Sequence, residues 1–345
     1  MSIFKKYILS ILLVGLFYQE QHAQNQHHLK IGFGSCISQD NEQKVWYKVD
    51  EFHPDYFVFL GDNIYGDTQN MAVLKAKYNQ LGSKPGLQKL WEKTKILAVW
   101  DDHDYGVNDG GKEYPKKEES KQIFLDFFKE PAESERRKRP GIYDQIVVGE
   151  AGERVQFILL DCRTFRDKLC RVGKDEDCYG EYGKCDDTSK TMLGDAQWKW
   201  LEETFKVPAD IRIVCTSTQF LVDFNGWEAW ANFPHERERF MRLIEKTKAN
   251  GLFFISGDVH YSEMSKLKRP NSYPLYDLTA SGMTHGHSCA GENINRIHGA
   301  YMKPNFGWID IDWKGKDTQV TLKIISSEEG EVKIEHQIPL KELQF

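Results

Sequence analysis

The stretch Leu97-Ala98-Val99-Trp100-Asp101-Asp102-His103-Asp104 decides how this chain is read. Three apolar residues and a tryptophan run straight into two carboxylates, a histidine and a third carboxylate. A buried strand that ends this way gathers like charges that a bound cation would relieve. The histidine beside them is suited to moving protons near neutral pH. The plainer reading is a strand end whose acids cap the following segment.

Recurrence separates the two readings. Tyr56-Phe57-Val58-Phe59-Leu60 runs into Gly61-Asp62-Asn63-Ile64-Tyr65, and Leu252-Phe253-Phe254-Ile255-Ser256 into Gly257-Asp258-Val259-His260. Val155–Leu160 leads to Asp161-Cys162-Arg163, and Leu29–Phe33 to Gly34-Ser35-Cys36. Near-continuous apolar runs are strands buried on both faces, and ligands of layered α/β proteins collect beyond the carboxyl ends of such strands. Polar tips at equivalent places therefore predict one shared site. Between the strands lie helical stripes: Val45, Trp46, Val49 and Phe52, then Ile123, Phe124, Phe127 and Phe128. A third pairs Trp198, Leu201 and Phe205 behind Asp195 as N-cap, and a fourth pairs Phe240, Leu243 and Ile244 with a stop at Asn250-Gly251. The C-terminal stretches Trp308–Asp312 and Val320–Ile324 alternate apolar and polar, as antiparallel hairpins do. The prediction is an α/β fold with two packed sheets in one domain over residues 29–345.

Composition narrows the function classes. The 345 residues carry a net charge of −6 and 13% aromatics, which suits a well-packed globule and gives no basic surface for nucleic acid. Lys5 and Lys6 precede an apolar run from Tyr7 to Phe17, followed by a polar region with the small Ala23. That pattern predicts a cleavable signal peptide over residues 1–23 rather than an anchor helix, then a polar linker over 24–28. The mature protein is expected in the periplasm or outside the cell, without stable membrane insertion. Export makes the seven cysteines informative. Cys170, Cys178 and Cys185 predict a surface loop stapled by at least one disulfide, since their spacing lacks the close pairing of a zinc site. Pairing among Cys162, Cys170, Cys178, Cys185, Cys215 and Cys289 stays open, and the odd count leaves Cys36 as the free thiol. The basic run Arg136-Arg137-Lys138-Arg139 reads as a solvated loop rather than a phosphate-steering patch.

Suppose Cys36, Asp62, Tyr65, Asp102, Asn108, Asp258 and His260 converge. Carboxylates, an amide and an imidazole bind hard or borderline cations, while a thiolate and a phenolate add donors suited to ferric iron. A bridging aspartate permits a multi-metal centre, which lowers the pKa of water and clamps oxyanions during in-line displacement. His103 is placed to protonate a leaving alkoxide, and Arg163 and Arg166 offer planar forks that match phosphate oxygens. Phosphoester hydrolysis accounts for this set better than any other reaction.

These segments, with Leu160-Asp161-Cys162-Arg163-Thr164-Phe165-Arg166, Leu193-Gly194 through Gln197-Trp198, and Ser256-Gly257-Asp258-Val259-His260-Tyr261, resemble the PhoD-like alkaline phosphatase and phosphodiesterase family of metallophosphoesterases. The resemblance implies a four-layer α/β/β/α sandwich with a metal centre at one sheet edge. It also implies Fe(III) plus Ca(II), other divalent metals being possible, and a small phosphate mono- or diester as substrate. Carried across, it makes Cys36 and Tyr65 metal ligands, Asp62 the bridge, Asp102 and His103 the acid–histidine pair, Asn108 the amide ligand, Asp258 and His260 the last pair, and Arg163 the phosphate arginine. Cys36 stands where other metallophosphatases have an Asp-x-His opening, which argues against a plain zinc or manganese pair. The extra N-terminal domain of longer relatives is not expected, and the cysteine loop after Leu169 reads as an insertion that narrows substrate access. Two alternatives remain: phospholipase D-like action on lipid headgroups, favoured by exposed apolar loops near the site, and a metal-holding surface protein without turnover.

Overall fold

Strand-forming residues fall into two large sheets that face one another. In this computed structural model residues 28–173 and 178–345 are described. The expected signal peptide and residues 24–27 of the expected linker lie outside the described residues. His28, the last linker position, instead opens the first strand and pairs with Asp312.

The elements alternate as the apolar runs predict. The first half contains β1 (His28–Gly34), α1 (Val45–Glu51), β2 (Tyr56–Leu60), α2 (Met71–Gly82), α3 (Pro85–Trp91), β3 (Lys95–Val99), α4 (Asp102–Tyr105), α5 (Lys117–Phe127), α6 (Glu135–Lys138), β4 (Asp144–Val148) and β5 (Val155–Leu159). A small hairpin of β6 (Cys170–Arg171) and β7 (Tyr182–Gly183) precedes α7 (Gly194–Thr204), β8 (Ile211–Cys215), α8 (Pro234–Thr247) and β9 (Leu252–Ser256). The chain closes with β10 (Ser262–Leu267), β11 (Leu275–Thr279), β12 (Arg296–Tyr301), β13 (Asn305–Asp312), β14 (Gln319–Ser326) and β15 (Val332–Pro339). The first sheet has the order β15-β14-β13-β1-β2-β3 and the second β12-β10-β11-β9-β8-β5-β4. β1, β2 and β3 run parallel, as do β5, β8, β9 and β11. Each sheet thus sends its parallel strand ends to one rim.

Alternation along β2 shows the layering. Phe57 and Phe59 turn outward against Trp46 of α1, at centroid distances of 5.4 Å each. Tyr56 turns inward and meets Phe157 of the other sheet at 5.2 Å. On the far side Phe254 of β9 stacks on Phe220 at 3.9 Å and packs on Phe240 of α8. Helices therefore cover the outer faces and apolar side chains fill the space between sheets, giving the α/β/β/α sandwich. Among the described residues no helix is long and apolar enough to cross a membrane.

Several local expectations are corrected. Asp195 lies inside the first turn of α7 rather than at its N-cap, which is Leu193. Gly194, at φ +67°, makes the turn into that helix, and buried Glu236 accepts from Met192 N, Leu193 N and Trp198 Nε1. α8 stops at Lys248, itself left-handed at φ 51°, before Asn250-Gly251 is reached. Arg136 of the basic run is buried and donates to Ala98 O, so it braces β3 instead of facing solvent. Two disulfides form, Cys170–Cys185 and Cys178–Cys289. Cys36 is free as expected, but so are Cys162, three residues past β5, and Cys215, the last residue of β8, both fully buried.

Candidate metal centre and catalytic cavity

The two rims meet at a backbone bridge between Ser35, just past β1, and Ser281, just past β11. Cross-connections tighten the junction. Cys36 N donates to Gly61 O at 3.2 Å, and Ile37 N to Asp62 O at 2.8 Å. Asp258 N donates to Ser35 Oγ at 3.3 Å, and His260 N to Ser281 Oγ at 2.8 Å. Gly61, at φ +100°, lets β2 pass so close to β3 that a Cβ there would lie 2.5 Å from Asp101 Cβ. Four side chains at these tips sit on left-handed backbone: Cys36, Asp62, Asp258 and His260, at φ 61°, 47°, 75° and 58°. Such conformations cost about 1–3 kcal/mol each and tend to gather where function fixes side-chain direction.

Most of the residues predicted from sequence are brought together here. Cys36, Asp62 and His260 place ligand-type atoms within 4.8 Å of one another, and so do Asp62, Asp102 and His103. A further group joins Asp62, Asp101, Asp102 and Asp258, so Asp62 is shared by all three. Tyr65 Oη stands between His260 Nε2 at 3.1 Å and His285 Nε2 at 3.0 Å. Asn108 lines the same cavity, of about 380 Å³, as Asp62, Asp102, His103, Asp258 and His260.

Electrostatics test whether cations suit this place. Burial, then the neighbouring acids, hold Asp62 and Asp258 well above the usual carboxylate range. Burial also pushes the Cys36 thiol up to about 12 and raises the Tyr65 phenol. Burial and the nearby histidines bring His260 down to about 3, leaving its imidazole neutral and able to ligate. Asp102 Oδ1 is buried without a hydrogen bond. The arrangement concentrates oxygen, nitrogen and sulfur donors around Asp62, with Arg163 and His103 as the cations that offset Asp102. The donor set fits bound cations.

His103 differs from the rest. Its backbone N–H faces Asp62 Oδ1 at 3.3 Å, while ring Nδ1 meets the Asp67 carboxylate at 2.8 Å. Burial works against its charged form, yet Asp67 and the charges of Asp102 and Asp101 carry its pKa up to about 9. The Tyr65 ring packs on it at 4.5 Å.

Arg163 lies elsewhere than a phosphate-facing fork requires. It is 0% exposed and absent from the cavity lining. Its Nε donates to Asp101 Oδ1 at 2.5 Å, and its Nη2 pairs with Glu228 and lies 3.6 Å from Asp102 Oδ1. The guanidinium thus holds the acids from behind, and Arg166, also buried and outside the cavity lining, pairs with Glu228 Oε1 at 2.9 Å. Burial raises Asp101 to about 6 with Arg163 opposing, whereas Arg163 and His103 overcome burial at Asp102 and bring it to about 2.

Sequence reasoning missed several members. Asp109 and Glu228 join Asp102 in an oxygen-only group. Neither follows an apolar run, so the strand-tip signal could not find them. His285 stands in Gly282-Met283-Thr284-His285-Gly286-His287, a segment with no periodicity to place it at the site. Asp67, the partner of His103, lies just past the Asp62 tip in a segment without periodicity. Asp104, fully buried, accepts from Asp62 N at 3.1 Å, Asp101 N at 2.7 Å, Asn63 Nδ2 at 2.6 Å and Tyr78 Oη at 3.0 Å. It ties the β2 and β3 tips together.

Comparison with known proteins bears on the family and the fold. Residues 32–315 match the family described as PhoD-like phosphatase. Alkaline phosphatase D of Bacillus subtilis (strain 168) is 22% identical, over 70% of this chain and 48% of that protein. The chain therefore spans about half the length of the curated relative it matches. A solved structure of PhoD superposes with a TM-score of 0.72 at 16% identity, covering 93% of this chain and 71% of that one. GAP50, the anchor in the inner membrane complex of Plasmodium, gives 0.57 at 13% identity, with 90% and 89% covered. At such identities these two likenesses establish the fold alone.

Proposed function

The chain belongs to the PhoD-like phosphatase family, and from that premise we propose that it hydrolyses small phosphate mono- or diesters with cations held by its strand tips. The observation that carries this reading is the convergence of Asp62, Asp102, Asp258 and His260 on one cavity that His103 also lines, with the buried Cys36 thiol behind them within 4.8 Å of Asp62 and His260. Cys36, Tyr65, Asp62 and His260 suit Fe(III), and the oxygen-rich side of Asp62, Asp102, Asn108 and Asp258 suits Ca(II). Bound cations would supply positive charge for the phosphoryl oxygens and a lowered pKa for attacking water.

The chain's own residues do the rest. Asp62 bridges the two ligand groups. His103 is fixed through Nδ1 by Asp67, which leaves Nε2 to donate a proton to the leaving oxygen. Arg163 acts as a positioning residue, holding Asp101 and balancing the charge of Asp102. We place the enzyme outside the cytoplasm. Cys170–Cys185 and Cys178–Cys289 support this, since such bonds persist in oxidising compartments, and residues 1–23 have the pattern of a signal peptide.

A second substrate class, lipid headgroup diesters, is favoured by Phe224 and by Ile294, which is 84% exposed. Both belong to loops joined by the Ile294 N to Asp223 hydrogen bond. The test is hydrolysis of p-nitrophenyl phosphate, bis-p-nitrophenyl phosphate and vesicular phosphatidylcholine by wild type and Asp62→Asn. The proposal expects turnover of at least one ester by wild type and none by the variant at unchanged circular dichroism. Equal turnover by both would remove Asp62 from the reaction.

A further inference from the structure

The cavity has a second wall. Tyr182, Trp227 and His287 line it alongside the carboxylates, yet none comes from a strand tip of the two large sheets. The Trp227 and His287 rings meet edge to face at 6.2 Å. The three residues belong to separate segments: β7 of the cysteine loop, the 223–229 loop and the 285–293 loop.

Those segments are tied together at every level. Tyr182 N donates to Gly226 O at 2.7 Å and Gly180 N to Asn225 O at 3.3 Å. Gly180 and Gly226 approach so closely that a Cβ on Gly180 would lie 2.3 Å from Gly226 O, and Gly226 itself has φ +72°. Tyr179 stacks on Phe224 at 5.6 Å and accepts from Glu292 N at 2.8 Å. Cys178–Cys289 then closes a loop of sequence separation 111. The bond joins the cysteine loop covalently to the 285–293 loop, so the two cannot part at that point. Tyr182 Oη also donates to Asp109 Oδ2 at 2.5 Å, which fixes the distance between wall and acids.

The strand tips deal with the phosphoryl group, so the organic group of the ester must lie against something else. An aromatic surface next to the acids offers stacking and apolar contact without further charge. We propose that Tyr182, Trp227 and His287 form the subsite for the organic group of the ester. The Cys178–Cys289 disulfide sets its width, so that the oxidised protein favours slim or planar groups over bulky ones. This rests on the phosphoester reading above.

The test uses two aryl phosphates of matched phenol acidity, one a single ring and one carrying a bulky substituent, each as monoester and methyl diester. In Cys178→Ser/Cys289→Ser, with Cys170–Cys185 intact, kcat for the single-ring ester is expected to stay within about twofold. The bulky-to-small kcat/KM ratio is expected to rise about tenfold, the scale at which pocket shape discriminates. Trp227→Ala, which keeps both disulfides, should raise KM for the single-ring ester about fivefold, as loss of one aromatic contact implies. An unchanged ratio in the folded double-serine variant would overturn the inference while leaving the phosphoester reading intact. If that variant does not fold, an unchanged KM in Trp227→Ala overturns it. Wild-type protein that turns over none of the esters would sink both.

Discussion

Asp104 offers a demanding test of how the strand tips are held, because it touches no substrate and is nevertheless expected to be indispensable. Its carboxylate accepts from two backbone N–H groups, Asp62 N and Asp101 N, and from Asn63 Nδ2 and Tyr78 Oη. Asn63 is already committed through its Nδ2 to Val99 O, so its amide cannot turn to accept instead. Asp104→Ala strands these buried donors, and each costs about 1 kcal/mol or more. Part of this is offset, since burial and its neighbours put Asp104 at about 7 and removal eases repulsion among the acids. A net loss of about 3 kcal/mol corresponds, in a chain of this size, to a fall in Tm of roughly 4–5 °C. Asp104→Asn keeps one acceptor for the backbone pair and should lose about a third as much. Freed from this tie, the Asp62 loop shifts, and a displacement of about 1 Å is enough to cost about 100-fold in kcat. Differential scanning fluorimetry with hydrolysis of p-nitrophenyl phosphate measures both. An Asp104→Ala protein with wild-type Tm and kcat would refute the idea that this carboxylate holds the site together.

Three further outcomes follow from the same geometry. His103→Ala should slow alkyl phosphate esters about 100-fold and nitrophenyl esters far less, because only poor leaving groups need a proton; equal losses would remove the donor role. Asp67→Asn removes the main force holding the His103 proton, so burial lowers the histidine and the alkaline limb of the pH–rate profile for alkyl esters moves to lower pH; an unmoved limb would contradict this. Burial keeps the Cys36 thiol protonated at neutral pH, its pKa being about 12, so cation binding should expel protons and tighten as pH rises. Calorimetry in buffers of different ionisation enthalpy would detect that release, and its absence would take Cys36 off the list of ligands.

Much of this was legible in the chain because backbone physics and chemistry point the same way at the tips. Tyr56–Leu60 and Leu252–Ser256 are apolar enough to be buried on both faces, so Asp62 and Asp258 had to emerge at a sheet edge. Arg163 follows the same pattern after β5, yet sequence position says nothing about which way a long side chain turns. Here it turns inward because Asp101 and Glu228 wait for it. Asp109 and Glu228 were illegible for the opposite reason. They reach the site from irregular loops, one rich in glycine and one rich in aromatics, whose paths depend on contacts such as Gly180 against Gly226. The disulfides show the same division. A stapled loop could be foreseen from Cys170, Cys178 and Cys185, but the partner Cys289 lies on a segment that only the fold brings near.

The central claim is that cations occupy the junction of the two rims. Anomalous diffraction from crystals of natively purified, active protein tests it most directly. The account expects one peak in reach of Cys36 Sγ, Asp62, Tyr65 Oη and His260, and a second shared by Asp62 with Asp102 and Asp258. Crystals that hydrolyse phosphate esters but show no peak within bonding distance of Asp62 would contradict it.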